Sequence, residues 1–200
     1  MIIIDDFVED EKLIADILAD EDFWRKGFRW WDGKEVKDNR HRLIEYIWKH
    51  NLSKVGDFNR YRNLEYEGFE HWTGVYKAGA EEGKDWGVKE ILGERYSLHP
   101  HVDKDEDLWY ATDKKVNSCP LVGTVYYMSD TEEGGYLKVW DTESGEIDFD
   151  RPYELIKPKF NRLVIFDAGK LHAVTEVTKG ERRAVAINIW DRRPSTELEE

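Results

Sequence analysis

Three side chains able to bind one metal ion lie in the second half of the chain, and an arginine follows them. One residue separates His101 from Asp103, His172 comes 69 residues after Asp103, and Arg182 comes ten residues after His172. Residues at positions i and i+2 of a strand point to one side of the sheet, so His101 and Asp103 can bind the same ion. Two histidines with one carboxylate suit Fe(II) or Mn(II) and leave coordination positions open, and an arginine suits an acidic cosubstrate.

A further histidine leaves the chelating pair open at this point. His99, His101 and Asp103 alternate with Pro100 and Val102, so all three share one strand parity. The pair His101/Asp103 would favour iron or manganese, whereas His99/His101 would favour zinc or copper. The position of His172 does not decide between the two pairs.

Short strands with glycine turns are the elements that must position these residues. Strands are predicted over residues 2–4, 64–76, 88–103, 121–129, 136–140, 161–166 and 183–190. Helical spacing of apolar residues predicts helices over 9–18 and 37–51, while 23–32 reads as irregular and 104–118 as a long loop. Many strands without intervening helices indicate a mainly β fold with flanking N-terminal helices and an antiparallel sandwich or barrel core.

The final predicted strand has two different faces. Arg182 alternates with Arg183 and shares its parity with Ala184, Ala186 and Asn188, a small and polar set that suits a ligand-lined lumen. The other parity contains Arg183 followed by three apolar residues, which suits packing. We therefore expect Arg182, rather than Arg183, to point at a bound carboxylate.

Composition limits the classes of protein to which the chain can belong. Its 200 residues suit a single domain, and a net charge of −13 disfavours an intact nucleic-acid partner. Arg40, Arg42, Arg60 and Arg62 are predicted to form solvated faces and surface ion pairs. The single cysteine, Cys119, forms no internal disulfide and is given no catalytic role. With no signal peptide and no apolar stretch of membrane-spanning length, the expectation is a soluble cytoplasmic protein with no membrane partner.

Six segments, in order, resemble the Fe(II)/2-oxoglutarate-dependent dioxygenase superfamily, especially its prolyl-4-hydroxylase-like branch. The resemblance covers roughly residues 88–190. Its pieces are residues 100–103, 125–128, 133–140 with their Gly-Gly turn, 158–166, 171–174 and 180–182. It implies a double-stranded β-helix (jelly-roll, cupin-like) core over about 62–192, a helical part over about 1–60, and one oxygenase domain over 1–200.

The resemblance also implies roles for individual residues and cofactors. His101, Asp103 and His172 would be the catalytic residues that bind Fe(2+), with His99 a neighbour that is not a ligand. Arg182 and the hydroxyl of Tyr127 would bind the distal carboxylate of the cosubstrate 2-oxoglutarate, while Tyr126 would belong to the core. O2 would be the oxidant, ascorbate a reductant, and succinate and CO2 the products.

Two departures from the family pattern leave the substrate open. Relatives often have a tyrosine three positions before the first metal histidine, where this chain has Leu98, with Tyr96 the nearest aromatic residue. They often have a tryptophan six residues after the arginine, where this chain has Asn188, with Trp190 two residues further on. The substrate would be a peptidyl proline, or alternatively a free amino acid, a small metabolite or a nucleobase. A non-catalytic metal-binding β-barrel module is the remaining alternative.

Overall fold

The computed structural model describes residues 1–51, 65–80, 87–196 and 198, in which strand residues outnumber helical residues. In chain order the strands are β1 (Ile2–Ile4), β2 (Arg29–Trp31), β3 (Gly68–Lys77), β4 (Lys89–Ile91), β5 (Glu94–His101), β6 (Val122–Tyr127), β7 (Glu133–Gly134), β8 (Leu137–Trp140), β9 (Tyr153–Ile156), β10 (Arg162–Phe166), β11 (His172–Thr175), β12 (Val177–Lys179) and β13 (Glu181–Trp190). The α-helices are α1 (Glu11–Ala19), α2 (Asn39–Glu45) and α3 (Glu106–Ala111), with a 3-10 turn at Asp22–Trp24 and a π-helical turn at Tyr46–Asn51.

Two antiparallel sheets pack against each other around a narrow lumen. The larger has the order β1-β10-β6-β13-β3-β2, the smaller has the order β4-β5-β11-β8-β9, and β12 pairs separately with β7. Side chains from both sheets form one buried cluster, in which Val125 and Ala184 of the larger sheet join Leu137 and Val139 of the smaller. The predicted antiparallel two-sheet architecture is therefore confirmed.

The helices of the N-terminal part cover the outer face of the larger sheet. Asp10 caps the start of helix α1, and its carboxylate accepts a hydrogen bond from the Leu13 backbone N–H at 2.9 Å. Leu13 and Ile17 then pack in the same apolar cluster as Ile187 of β13. Within the described residues, every helix is too short or too polar to span a lipid bilayer.

Several predicted elements are confirmed with shifted ends, and others are new. The expected strands at 2–4, 161–166 and 183–190 correspond to β1, β10 and β13, and the expected helices correspond to α1 and to α2 with its π-helical turn. The region predicted as irregular contains β2, which exists through its pairing with β3, and the region predicted as a long loop contains α3. Arg60, Arg62, Leu64 and the expected boundary near residue 62 lie outside the described residues.

Candidate active site

Three side chains predicted to bind a metal lie together where the two sheets meet the lumen. The ligand atoms of His101, Asp103 and His172 all lie within 4.8 Å of one another. His101 ends β5 and pairs directly with His172, the first residue of β11. The Asp103 carboxylate oxygens lie 3.3 Å from His101 Nε2 and 3.7 Å from His172 Nε2. The geometry therefore favours the pair His101/Asp103 over the pair His99/His101.

The backbone around Asp103 is fixed by a loop that precedes β11. Strand β5 ends at His101, so Asp103 lies beyond the strand, and its N–H donates to the Ala168 carbonyl at 3.0 Å. Ala168 can approach because residue 123 is glycine, where a Cβ atom would lie only 2.5 Å from the Ala168 Cβ. The small residue on β6 thus allows the loop to hold the carboxylate in place.

In both histidines of this group, a backbone carbonyl determines which ring nitrogen carries the proton. His101 Nδ1 lies 2.8 Å from the His99 carbonyl, and His172 Nδ1 lies 2.8 Å from the Lys170 carbonyl. A carbonyl can only accept, so each Nδ1 carries the proton and each Nε2 presents a lone pair when the ring is neutral. Two lone pairs and a carboxylate turned toward one point fit a divalent metal ion.

The electrostatics of these residues also suit a cation. Burial lowers the pKa of His172 to about 4, so the ring is neutral near pH 7. Burial would raise the pKa of Asp103, but the two histidines and Asn188 outweigh it and hold that pKa at about 2. Burial would lower the pKa of His101, but the hydrogen bond and charge of Asp103 outweigh it and raise that pKa. The ionised carboxylate is thus available to a metal ion, which would replace the proton that His101 shares with it.

His99 lies beside this group but outside it. Its side chain is exposed, lies with its ring 5.8 Å from the His101 ring, and lines the wider of two cavities that open on the site. Tyr96 points away from the site, since its hydroxyl donates to Glu94 at 2.6 Å and its ring is packed beside Trp140. The tyrosine that relatives have before the first histidine is therefore not replaced by Tyr96.

A narrow cavity leads from the two histidines to Arg182. Apolar side chains from both sheets form its walls, together with the small residues that precede Asn188 on β13; the lining includes Val125, Leu137, Phe166, Val174, Ala184 and Ala186. The predicted lumen-facing parity of β13 is thereby confirmed. Arg183 is half-exposed on the other face, with its guanidinium carbon 5.4 Å from the Trp24 ring centroid.

Arg182 is a buried cation at the end of this cavity. Only 3% of the residue is exposed, and its guanidinium carbon lies 5.0 Å from the Tyr127 ring centroid and 5.5 Å from the Tyr76 ring centroid. Within the described residues no carboxylate forms an ion pair with it, and Arg182 Nε and the buried hydroxyl of Tyr127 have no hydrogen-bond partner. A buried cation with adjacent unsatisfied donors fits an anionic ligand in the cavity.

A glycine turn supports the stem of Arg182. Gly135 has a φ of +70°, and a Cβ atom at this position would lie 3.3 Å from Arg182 Cδ. The preceding residue, Gly134, has a φ of +77° and approaches the Glu176 carbonyl so closely that a side chain there would clash with it. The Gly-Gly turn therefore brings β8 close beside the arginine.

Tyr126 and Tyr127 occupy opposite faces of β6. Tyr126 is fully buried in the apolar cluster under the helices, and its hydroxyl donates to Asn161 Oδ1 at 2.8 Å. Tyr127 is equally buried but stands on the inner face beside Arg182. Tyr127 is therefore the one of the two that lies beside Arg182, and its contact with a cosubstrate stays a prediction.

The sequence did not single out Glu70, which also lies at the site. It lines a cavity of about 530 Å³ that reaches His101 and Asp103 from outside. The Asn188 side-chain amide donates to Asp103 Oδ2 at 3.0 Å and to Glu70 Oε2 at 3.4 Å. Trp190 Nε1 donates to the same Glu70 oxygen at 2.9 Å. The only available signal was the replacement of the family tryptophan by Asn188, which pairs with Glu70 across β13 and β3.

Known proteins with a similar fold and a matching family model identify the family to which the chain belongs. Residues 87–190 match the family model of the 2OG-Fe(II) oxygenase superfamily, while no curated protein matches the chain. A solved prolyl-4-hydroxylase from Pseudomonas putida is 16% identical with a TM-score of 0.60, covering 96% of this chain and 92% of its own. A Trichoplax adhaerens prolyl hydroxylase in complex with a hypoxia inducible factor oxygen degradation domain peptide fragment is 15% identical with a TM-score of 0.55. The match covers 98% of this chain and 87% of the hydroxylase chain.

A third structure contains the cosubstrate that the buried arginine would suit. The viral collagen prolyl hydroxylase of Paramecium Bursaria Chlorella virus-1, in its 2OG complex, is 19% identical with a TM-score of 0.51, covering 94% of this chain and 93% of its own. These similarities show the double-stranded β-helix fold. Because the family match spans more than half of the chain, the protein belongs to the 2OG-Fe(II) oxygenase superfamily and is an Fe(II)- and 2-oxoglutarate-dependent dioxygenase.

Proposed function

We propose that His101, Asp103 and His172 bind the iron and that Arg182 and Tyr127 bind the distal carboxylate of 2-oxoglutarate. The observation that carries the proposal is the pairing of two complementary sites in one lumen. Three converging ligand atoms lie at one end, and a buried guanidinium without an anionic partner among the described residues lies along the same narrow cavity. A dicarboxylate can occupy both sites at once, with one carboxylate at each.

Different residues of the site would bind the cosubstrate, hold the metal ion and limit the access of water. When bound, Fe(II) and 2-oxoglutarate supply the oxidising power: one O2 and one 2-oxoglutarate yield succinate, CO2 and one hydroxylated C–H bond. Arg182 and Tyr127 orient the cosubstrate, and Asp103 keeps a negative charge on the metal site. The apolar walls formed by Leu137, Phe166 and Val174 limit the access of water.

The wider cavity is the proposed binding site of the substrate. It shares Trp72, Leu98, His101 and Asp103 with the narrow cavity, and its volume of about 530 Å³ has room for a side chain or a small molecule. Peptidyl proline is the first candidate, supported by the prolyl hydroxylases among the similar structures. A free amino acid is the second candidate, and the carboxylate of Glu70 in the cavity favours it over a small neutral metabolite or a nucleobase.

We also propose that the protein acts in the cytoplasm on peptides or small molecules rather than on intact nucleic acid. The net charge of −13 supports this, because binding to a polyanion requires clustered cations. The single cysteine, Cys119, is free and half-buried, which suits a reducing compartment. Fractionation of cells followed by detection of the tagged protein tests the location, and recovery with membranes or secreted material would contradict it.

Succinate release in the absence of a substrate tests the proposed site. Purified protein given Fe(II), 2-oxoglutarate, O2 and ascorbate should form succinate slowly. His101→Ala should lower the rate more than about 100-fold, since even residues that only support metal ligands contribute 10- to 100-fold. His99→Ala is the matched control, because the exposed His99 side chain is no ligand, and it should retain the activity. Equal loss in both variants, or none in His101→Ala, would refute the assignment.

A further inference from the structure

Glu70 stands on the substrate side of the proposed iron site. It lines the wide cavity together with His101 and Asp103, and the neighbouring walls include the apolar side chains of Trp72 and Leu98. Strand β3 directs it inward, since Trp72, Gly74 and Tyr76, at the same parity, line the narrow cavity. A substrate that approaches the iron through the wide cavity must therefore pass this carboxyl group.

The hydrogen bonds of Glu70 come only from neutral donors. Oε2 accepts from Trp190 Nε1 at 2.9 Å and from Asn188 Nδ2 at 3.4 Å. Among the described residues, Oε1 accepts no hydrogen bond, and no lysine or arginine forms an ion pair with this carboxyl group. Lys104 also lines the cavity but pairs with Glu106 at 3.4 Å. One oxygen of Glu70 is thus left for a ligand.

The surroundings of Glu70 make an unpaired negative charge costly. Burial and the nearby charge of Asp103 raise the pKa of Glu70 to about 7. A carboxylate in such a place is stabilised by a cation that enters with its own hydrogen-bond donors. The donors of Trp190 and Asn188 keep the carboxyl group in one orientation, so a cation placed against Oε1 would meet a preorganised partner.

We propose that Glu70 determines substrate specificity and that the substrate carries a protonated amine or a guanidinium group close to the C–H bond that is hydroxylated. This inference rests on the proposed function, because it places the substrate in the cavity beside the iron. Asn188 Nδ2 bridges Glu70 and Asp103, so the cation would lie close to the metal ligands. The nitrogen of a peptidyl proline is a tertiary amide with neither charge nor N–H, whereas the nitrogen of free proline is an ammonium group. The carboxyl group of Glu70 therefore favours a substrate with an amine or guanidinium over peptidyl proline, the first candidate named for the cavity.

Binding without turnover tests the proposal directly. The protein is titrated by calorimetry under anaerobic conditions with Fe(II) and 2-oxoglutarate present, so that no oxidation occurs. Three probes carry the cation in different forms: L-prolinamide as a ring amine, Nα-acetyl-lysinamide as a primary amine and Nα-acetyl-argininamide as a guanidinium. Their matched neutral partners are N-acetyl-L-prolinamide, Nα,Nε-diacetyl-lysinamide and Nα-acetyl-citrullinamide. At least one cationic probe should bind about ten-fold or more tightly than its neutral partner.

Glu70→Gln removes the negative charge but keeps an oxygen that can accept the hydrogen bond from Trp190. The variant therefore tests whether the charge of Glu70, rather than its structural role, is what the cationic probe requires. The variant should lose the preference for the cationic probe by about ten-fold, with less than about two-fold change for the neutral partner. Glu106→Gln is the charge-matched control: Glu106 lies at the rim of the same cavity, is 49% exposed and is already paired with Lys104. It should keep most of the preference, because an exposed charge contributes little.

The outcomes distinguish this inference from the proposed function. Equal binding of cationic and neutral probes, no binding of any cationic probe, or an unchanged preference in Glu70→Gln would each overturn the role of Glu70. Substrate-independent succinate release by the wild-type enzyme would then still support the proposed iron and cosubstrate site. If succinate release is absent as well, the proposed function itself fails.

Discussion

Arg182 is the residue whose surroundings say most about the ligand that the protein binds. Its guanidinium lies between the rings of Tyr76 and Tyr127, with 3% of the residue exposed. Aromatic faces attract a cation but do not satisfy its N–H donors, and Nε has no acceptor among the described residues. The tyrosines therefore hold the group in place, and a carboxylate from outside would complete its hydrogen bonds.

Substitution of Arg182 tests its proposed contact with 2-oxoglutarate. Arg182→Gln should raise the KM for 2-oxoglutarate on the order of 10- to 100-fold, because a charged hydrogen-bond partner contributes about 1.5–3 kcal/mol. Arg182→Lys should recover part of the loss, since lysine keeps the charge but cannot form a bidentate pair. The measurement is succinate release at varied 2-oxoglutarate concentration. Arg183→Gln is the control on the outward face, and an equal effect in this variant would contradict the assignment.

At the scale of elements, β13 was predictable because its two faces differ in chemistry. Val185, Ile187 and Ile189 pack under the helical layer, whereas Ala184 and Ala186 line the lumen. A strand buried on both sides usually reads as a continuous apolar run, but here the inner residues must be small or polar to leave room for a ligand. The alternation therefore carried information about the site as well as about the strand.

Other elements could not be predicted because their stability comes from distant parts of the chain. Strand β2 has only three residues and exists through its pairing with β3, and α3 has six residues, none of them buried. Neither contains a hydrophobic period long enough to recognise. Glu70 could not be predicted either, because it is brought beside Asn188 only by the register of β3 against β13. The spacing of His101 and Asp103 could suggest a chelating pair, but only the family resemblance added His172 and set His99 aside.

A pH-sensitive ion pair lies at the end of strand β1. Asp5 follows β1, and its carboxylate accepts from Arg162 Nε at 2.6 Å and from Lys159 Nζ at 3.0 Å. These hydrogen bonds lower the pKa of Asp5 from 3.8 to about 2. Because this pKa is lowered by folding, the ionised Asp5 carboxylate contributes fully to the free energy of unfolding above pH 3.8. That contribution is lost as the pH falls toward 2.

Asp5→Asn should consequently destabilise the protein only where Asp5 is ionised. The expected loss at pH 7 is about 0.5–1 kcal/mol in the free energy of unfolding, because the partly exposed carboxylate is screened by water. The difference between the wild type and the variant should shrink below pH 4. Urea unfolding of both proteins at pH 7, 4 and 3 measures it. A difference that stays constant down to pH 3, or none at pH 7, would show that the ion pair does not fasten β1.

At the scale of the whole molecule, two cavities of different size meet at His101 and Asp103, two of the proposed metal ligands. His101 and Asp103 line both cavities, while Arg182 lines only the narrow one and Glu70 only the wide one. The cosubstrate and the substrate can thus occupy separate cavities, each with its own charged residue. Helices α1 and α2 pack on the outer face of the larger sheet, while Glu106, the first residue of α3, lines the wide cavity. That the whole chain forms one domain stays a prediction.

This arrangement predicts that ligands stabilise the entire fold. A ligand that binds only the folded state at 100 times its Kd adds about 2.7 kcal/mol, which corresponds to a rise in Tm of about 5–10 °C for a chain of this size. Mn(II) should therefore raise the Tm, 2-oxoglutarate should raise it further, and a chelator should reverse both effects. Scanning fluorimetry measures the shifts. Arg182→Gln should keep the response to Mn(II) but lose most of the response to 2-oxoglutarate, because the metal ligands and the anion site are separate. If the variant responds fully to both ligands, or the wild type responds to neither, then the lumen does not hold them as proposed.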